Sequence, residues 1–443
     1  MIPISRQGGP LFRQVYDGLR DAILSGAYSP GARLPSTREL AEQLGLSRTV
    51  VLMAFDQLLA EGYVTGKGGS GTFVAPELER CRPSREKGVS QIRLSPFGQA
   101  AAELAAIPPR RRSSSKRYDF AYGQSDLAIF PFEMWRRLLL KQARLASANK
   151  YGYGPAVGSL ALREAISGHV RRHRAVNCDP SEIIIVNGSQ QALDLIARVL
   201  VARGDGVVVE DPHYEANRAV MRAAGGILLP VPVDRDGLDT SRLPERAALA
   251  VVTPSHQFPT GAVLPLSRRL ALLDWARRVD AVIVEDDYDG EFHYDGSPVE
   301  SLQGLDTEGR VLYLGTFSRT VFPALRLGYL IVPKQLAATF AAAKWINDLH
   351  SATLEQETLA EFISGGFYER HLRRLRQRNA ARRDTLLQAA RRFLGDRFEI
   401  TGERAGAHVV LWPQDRTLGE AEMIARAASR DVGVHAMSHC YLG

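Results

Sequence analysis

Apolar residues return along this chain in two rhythms, and the change between them falls near residue 118. Over residues 11–25, Leu11, Val15, Leu19, Ala22 and Ile23 recur every three or four positions while Arg13, Asp17 and Arg20 stand off that stripe, which predicts an amphipathic helix. Residues 26–33 break it. Ser36 followed by Glu39 is a capping-box pair, so a second helix is predicted over residues 37–44. Gly45 makes a turn, Ser47 caps a third helix reaching residue 61, and Val50, Val51, Ala54, Phe55, Leu58 and Leu59 form its apolar face. Gly62 ends it. The β-rich runs on either side of residues 67–71 predict a hairpin over residues 63–74.

Beyond residue 118 helical stripes alternate with short β-branched runs. Helices are predicted over residues 159–172, 190–201, 214–224, 266–278 and 368–393, and strands over residues 182–186, 206–210, 226–231, 248–253 and 281–285. Strands separated by helices imply a mostly parallel sheet covered on both faces, an α/β domain whose ligands collect at the C-terminal strand ends. Residues 311–333 form two further apolar runs around a polar loop that holds Thr316, Ser318, Arg319 and Arg326. Two hydroxyls, backbone N–H groups and two guanidiniums suit a phosphate; an ordinary strand-loop-strand edge explains the same residues equally well.

With 443 residues, 45% of them hydrophobic, the chain is long enough for two domains and a large core. No run approaches the ~18 apolar residues of a membrane span, and residues 1–10 lack the apolar centre of a signal peptide, so a cytoplasmic protein without membrane contact is expected. Cys81, Cys178 and Cys440 are scattered, with no CxxC spacing, and imply neither a disulfide framework nor a zinc site. The net charge of +7 is uneven: residues 1–80 carry 8 Lys+Arg against 8 Asp+Glu, residues 81–117 carry 9 against 2, and the remaining 326 carry 39 against 39. Residues 76–117 are accordingly expected to be a basic flexible linker with one short helix over residues 99–105. A solvated run is the ordinary reading of such charge, and supplementary phosphate contact near DNA is the alternative.

Three helices, a Gly turn and a hairpin make a winged helix-turn-helix over residues 1–75. Its third helix would enter a major groove by its N-terminal end, where Ser47, Arg48 and Thr49 face bases and phosphates. In the α/β part, residues 187–194 follow a strand and open a helix, so the N–H groups of Ser189 and Gln190 can cradle a phosphate, although a plain β-to-α turn serves nearly as well. Residues 283–292 place Glu285, Asp286, Asp287, Tyr288 and Asp289 after a buried strand. A buried acid there needs a cationic partner: either a protonated ring nitrogen or a divalent metal, the latter with no histidine or further carboxylate spaced to complete the ligand set.

LPSTRELAEQLGLSRTVVLMAFDQLLAEGYV with GSGTFV, and GTFSRTVFPALRLGY with the motifs before it, resemble the MocR regulators of the GntR superfamily, in which a winged helix-turn-helix is fused to a fold-type I aminotransferase-like domain. The resemblance implies DNA contacts at Arg38, Ser47, Arg48, Thr49, Lys67 and Gly69, with Ser36 and Thr37 on phosphates. In the second half it implies a pyridoxal 5'-phosphate site. Ser189, Gln190, Thr316, Ser318 and Arg326 would hold the phosphate, Tyr214 would stack on the ring, Asp286 would pair the ring nitrogen and Tyr288 would bond the ring hydroxyl. The SHQFPTG loop, residues 255–261, would lie at the ring edge, and Tyr153 would reach the neighbouring subunit's cofactor phosphate, which makes a homodimer. The small C-terminal α+β domain would begin near residue 368.

Two departures from the family pattern matter. Arg319 stands where the family has the lysine that forms a Schiff base with the cofactor, and a guanidinium is always protonated and a poor nucleophile. Transamination is therefore not expected, and the cofactor would be held without a covalent bond, with Arg319 itself available to its phosphate. By the same resemblance the chain would stop short of a further strand and helix, the part that in many fold-type I enzymes carries the arginine gripping the substrate carboxylate. The expected function is a dimeric, operator-binding transcriptional regulator that responds to pyridoxal phosphate or an amino-acid-like effector. The alternatives are an active aminotransferase that carries a DNA-binding domain, and a regulator that senses a different anionic or phosphorylated ligand.

Overall fold

Ser36 and Glu39 close the expected capping box in both directions, the Glu39 N–H to Ser36 Oγ at 3.2 Å and the Ser36 N–H to Glu39 Oε2 at 2.8 Å. A computed structural model describes residues 4–5, 9–67, 71–81, 92–105, 116–123, 125–145, 152–294, 300–415, 417 and 419–442. The chain divides into two units, Met1–Arg93 and Leu94–Gly443.

The first unit holds helices α1 (Leu11–Leu24), α2 (Thr37–Leu44) and α3 (Arg48–Ala60), followed by strands β1 (Val64–Lys67) and β2 (Gly71–Val74) paired antiparallel. Val15, Leu19 and Ile23 of α1 meet Leu40 of α2, Val51, Ala54, Phe55 and Leu58 of α3, and Val64 and Val74 of the hairpin in one buried cluster. Each such side chain contributes about 1.5–3 kcal/mol of burial. Leu59, expected on this face, is instead 51% exposed. Val51, Phe55 and Leu58 already complete the inward stripe, and Leu59 falls one residue past it. Val50 is only half-buried against the cluster, while Tyr16 joins it and bonds Glu61.

The second unit opens with α4 (Pro96–Ala105), which packs on a helix of the sheet domain, so a piece of the stretch expected as linker belongs to this unit. Its further helices are α5 (Phe132–Arg144), α6 (Leu160–Arg174), α7 (Ser189–Leu200), α8 (Glu215–Ala223), α9 (Leu266–Val279), α10 (Leu302–Leu305), α11 (Ala337–Asp348), α12 (Thr353–Ser364), α13 (Phe367–Phe393) and α14 (Glu420–Ala428). After the short β3 (Tyr118–Asp119), the strands β4 (Ile183–Val186), β5 (Gly206–Asp211), β6 (Ile227–Asp234), β7 (Gly237–Leu238), β8 (Leu249–Val252), β9 (Val282–Asp287), β10 (Val311–Thr316) and β11 (Gly328–Ile331) form one sheet. Its order is β4-β11-β10-β9-β8-β5-β6-β7. β9 runs parallel to β10 and β8, and β5 to β8 and β6, whereas β11 is antiparallel to both neighbours and β7 to β6. The sheet is mixed for that reason.

Strand alternation explains why both faces are covered. Ile183 and Ile185 point into a cluster with α6 and α12, whereas Ile184 and Val186 point into another with α7 and α11. A third cluster lies under α9. The small C-terminal part holds the antiparallel pair β12 (Phe398–Thr401) and β13 (Val410–Pro413), with α14, and β14 (Val432–Gly433) pairs parallel with β3. No helix among the described residues is long and apolar enough to cross a membrane.

Candidate functional site

The sheet order puts β11 between β4 and β10, so the loops after β4 and after β10 become neighbours although their residues lie about 130 positions apart in sequence. Arg326 takes the left-handed conformation, φ 53°, at the end of the turn before β11, and its Nη2 donates to Asn187 O at 2.9 Å. A Cβ on Gly188 would lie 2.7 Å from that same Nη2, so only glycine lets the guanidinium cross the start of α7. Ser189 and Gln190 are the first residues of α7, with their N–H groups at its positive end. Ser318 donates its N–H to Thr316 Oγ1 at 3.2 Å, and the Thr316 hydroxyl donates to Ser318 Oγ at 3.1 Å.

The acids expected after a strand, Glu285, Asp286 and Asp287, instead form the last three residues of β9 and go to separate partners because alternate strand residues face opposite ways. Glu285 accepts the N–H groups of Leu302 and Gln303, both at 2.8 Å, and so caps α10. Asp287 accepts from Arg174 Nε at 2.7 Å and from the Tyr313 hydroxyl. Asp286 points to the other face, where Asn217 Nδ2 of α8 stands 3.5 Å from Oδ2 while the buried Oδ1 has no partner. Burial pushes the Asp286 carboxyl up to about 6.

An aromatic group surrounds this acid's loop. Phe258 of the SHQFPTG segment lies edge-on to Tyr214 at 5.6 Å and to Tyr288 at 6.0 Å between ring centroids, and 5.7 Å from Tyr122. The Tyr288 hydroxyl donates to His256 O at 3.0 Å and lies 3.0 Å from His256 Nδ1, which is also 3.0 Å from Asp289 Oδ2. Burial alone would raise Asp289, but His256 beside it holds the carboxyl below its usual range. The Arg319 guanidinium lies 5.9 Å from the Tyr288 ring centre, and a Cβ on Gly123 would stand 2.1 Å from its Nη1. Ser125 Oγ donates to Ser318 O at 2.6 Å, which ties Ser125 to the loop that carries Arg319.

In the first unit Ser47 occupies the N-cap position of α3 but makes no capping bond with its side chain, contrary to the expectation. Ser47, Arg48 and Thr49 are exposed at that helix start, Ser36 is exposed at the start of α2 and Thr37 half-buried there. Arg38 is exposed and pairs with Glu42 at 3.3 Å. Lys67 ends β1, and Gly69 lies outside the described residues.

Residues 118–440 match the family "Aminotransferase class I and II", and residues 11–74 match "Bacterial regulatory proteins, gntR family". The chain is 41% identical, over 90% of its own length and 81% of the relative's, to the probable rhizopine catabolism regulatory protein MocR of Rhizobium meliloti. It belongs to the MocR-type regulators of the GntR superfamily. Another relative is the pyridoxine biosynthesis transcriptional regulator PdxR of Corynebacterium glutamicum, 33% identical over 97% of this chain and 88% of that one. Among solved structures, Pyrococcus horikoshii kynurenine aminotransferase matches with a TM-score of 0.69 and 28% identity over 82% of this chain and 90% of that one. This MocR-type regulator therefore joins a DNA-binding head to an aminotransferase-fold domain.

The pocket residues of the MocR-type chain fit the family's cofactor in two respects. A buried carboxylate oxygen without a partner suits a cationic ring nitrogen, and Arg326 over Gly188 with the N-terminus of α7 suits a phosphate. Arg319 does not fit covalent capture. Tyr153 is 90% exposed and meets the His350 ring edge-on at 6.0 Å, close in sequence to exposed Trp345, Ile346 and Leu349. Sequence reading missed Asn217, Phe258 and the contact of His256 and Asp289 with His408. One ligand atom of each of these last three residues lies within 4.8 Å of the others, although the sequence shows no metal-ligand spacing. An amide on a helix and a histidine from the small domain carry no local signal, and only the SHQFPTG segment had pointed to this edge.

Proposed function

We propose that this MocR-type regulator binds pyridoxal phosphate without a covalent bond, and that occupancy of the pocket alters how a dimer holds its operator. The observation that carries this reading is the unpartnered, buried Oδ1 of Asp286 at the C-terminal end of β9. A protonated pyridine nitrogen is the cation that fits there. Arg326 and the first turn of α7 would take the phosphate, with Ser318 and Thr316 beside them, and Tyr214, Phe258 and Tyr288 would confine the ring. Tyr153 would complete the phosphate set of the adjoining subunit.

When bound, the vitamer supplies an aldehyde that captures amines. The residue at the capture position, Arg319, carries a guanidinium, a poor nucleophile and a poor proton shuttle for a substrate carbon, so on this reading the domain senses rather than catalyses. In the head, Arg48 and Thr49 would read the major groove, with Ser47, Arg38, Thr37, Ser36, Lys67 and Gly69 on or near the backbone. A ligand that favours one arrangement of the dimer then changes the spacing of two heads over paired half-sites.

The test is a titration with pyridoxal phosphate, followed by absorbance, of the parent beside Arg319→Lys, with operator binding measured in parallel. The parent is expected to bind with the spectrum of the free vitamer and Arg319→Lys to gain the band of the covalently held form. Binding by neither protein would overturn the cofactor reading in favour of another anionic ligand. Turnover by the parent with a pyridoxamine donor would restore the enzyme reading.

A further inference from the structure

His169 and His173 stand four residues apart on α6, so their rings share one face of the helix. Opposite them is Glu369, in the first turn of α13. One ring nitrogen from each histidine and one carboxylate oxygen lie within 4.8 Å of one another. His173 Nε2 is 3.1 Å from Glu369 Oε2, and the two imidazole rings are 4.7 Å apart at an angle of 41°. His169 is only 5% exposed, yet its Nε2 has no hydrogen-bond partner. A buried polar atom without a partner calls for an explanation.

We propose that His169, His173 and Glu369 form a binding site for a divalent transition-metal ion of the zinc class, with water completing the coordination. Two imidazoles and one carboxylate are a borderline donor set that suits zinc, cobalt or nickel and not magnesium or calcium, which prefer oxygen. His169 Nε2, buried and without a partner, is the ring atom left to face a metal. Metal-to-nitrogen bonds of about 2 Å need the three atoms to draw together by roughly 1 Å. His173 and Glu369 are partly exposed and free to make that adjustment, with side-chain exposures of 29% and 46%. The neighbouring cations leave room: Arg376 donates Nε to Glu291 O at 2.6 Å, and its Nη1 is 4.0 Å from the other Glu369 oxygen, Oε1. Arg172 is the other positive group that faces the pair. In the second cluster of this kind, His256, Asp289 and His408, the nitrogen that faces Asp289 is already engaged: His256 Nδ1 holds Tyr288 and Asp289, and His408 Nε2 holds Pro259 O at 2.8 Å. A metal at His169 would clamp α6 to the start of the long helix that leads into the small domain.

The experiment strips the full chain with a chelator, then titrates zinc in competition with a chromophoric chelator and records the visible spectrum of the cobalt form. The parent is expected to take up a tight equivalent with a tetrahedral-type cobalt spectrum. Glu369→Gln and His173→Ala should each lose affinity by about tenfold or more while keeping the parent's circular dichroism in chelator. Zinc should raise the melting temperature of the parent and leave that of Glu369→Gln unchanged. No zinc uptake by the parent, or parent-like affinity in both folded variants, would overturn the site and leave His173 and Glu369 as a plain ion pair.

Discussion

Asn217 Nδ2 stands 3.5 Å from Asp286 Oδ2, a long contact for a carboxylate whose other oxygen is buried without a partner. Burial of that unpaired oxygen disfavours the charged form of the carboxyl. A carboxyl raised from 3.8 to about 6 contributes stability that is fully present below pH ~4 and is lost as pH rises through ~6, a difference of about 3 kcal/mol at most. Asp286→Asn should therefore stabilise the ligand-free second unit at pH 7.5 by about 2 kcal/mol and flatten its pH dependence between pH 4 and 6. The same change should weaken pyridoxal phosphate about tenfold or more, through loss of a charge-assisted hydrogen bond. Urea unfolding at two pH values and a vitamer titration check both halves. A variant less stable than the parent at pH 7.5 would mean that Asp286 is paired after all.

Gly188→Ala should lower affinity for pyridoxal phosphate and for inorganic phosphate about tenfold while leaving the sheet folded. The new methyl would meet Arg326 Nη2 at 2.7 Å and push the guanidinium off the start of α7. The backbone there, at φ 84°, adds about 1–2 kcal/mol of strain. Equal phosphate affinity in parent and variant would show that Arg326 does not serve the anion.

Ser36 and Ser47 occupy equivalent N-cap positions, but only Ser36 makes a side-chain cap. Ser36→Ala should cost the head about 1 kcal/mol of stability. Ser47→Ala should leave the melting temperature unchanged and weaken operator binding, with an unchanged dependence on salt because no charge is removed. Calorimetry with a DNA titration at two salt concentrations separates the roles, and loss of stability in Ser47→Ala would contradict them.

Ile346 and Trp345 are 77% and 60% exposed on α11, near the ring that Tyr153 touches. If this face is where two copies meet, Ile346→Asp should shift the protein from dimer to monomer in sedimentation and reduce vitamer affinity with it. Tyr153→Phe should reduce vitamer affinity alone. A parent that is monomeric at micromolar concentration would remove Tyr153 from the site.

Much of this architecture was legible because the periods were clean. Val51, Ala54, Phe55 and Leu58 show α3 directly, and the Ile-rich β4 shows a strand buried on both faces. Leu59 was misplaced because an apolar residue at the edge of a stripe looks the same in sequence as one inside it. The polar loop between β10 and β11 could be read from its hydroxyls and guanidiniums, but the places of Asn217 and Phe258 could not. Their roles arise only when α8 and the 255–261 loop are brought over the end of β9. Arg319 was singled out from the resemblance alone, and its rest against Gly123 and Tyr288 depends on a segment nearly 200 residues earlier.

The end of β9 reaches further than the pocket. Asp287 holds α6 through Arg174, Glu285 caps α10, and Asp289 holds His256 and also accepts the N–H of Ala407, in the small domain, at 3.2 Å. Asp287 and Asp289 both repel the charge on Asp286. A cation held by Asp286 would relieve that repulsion and settle the whole strand end among its partners. Occupancy is then converted into stiffness, which slower amide exchange at Ala407 and along α6 would reveal without any large movement of the backbone.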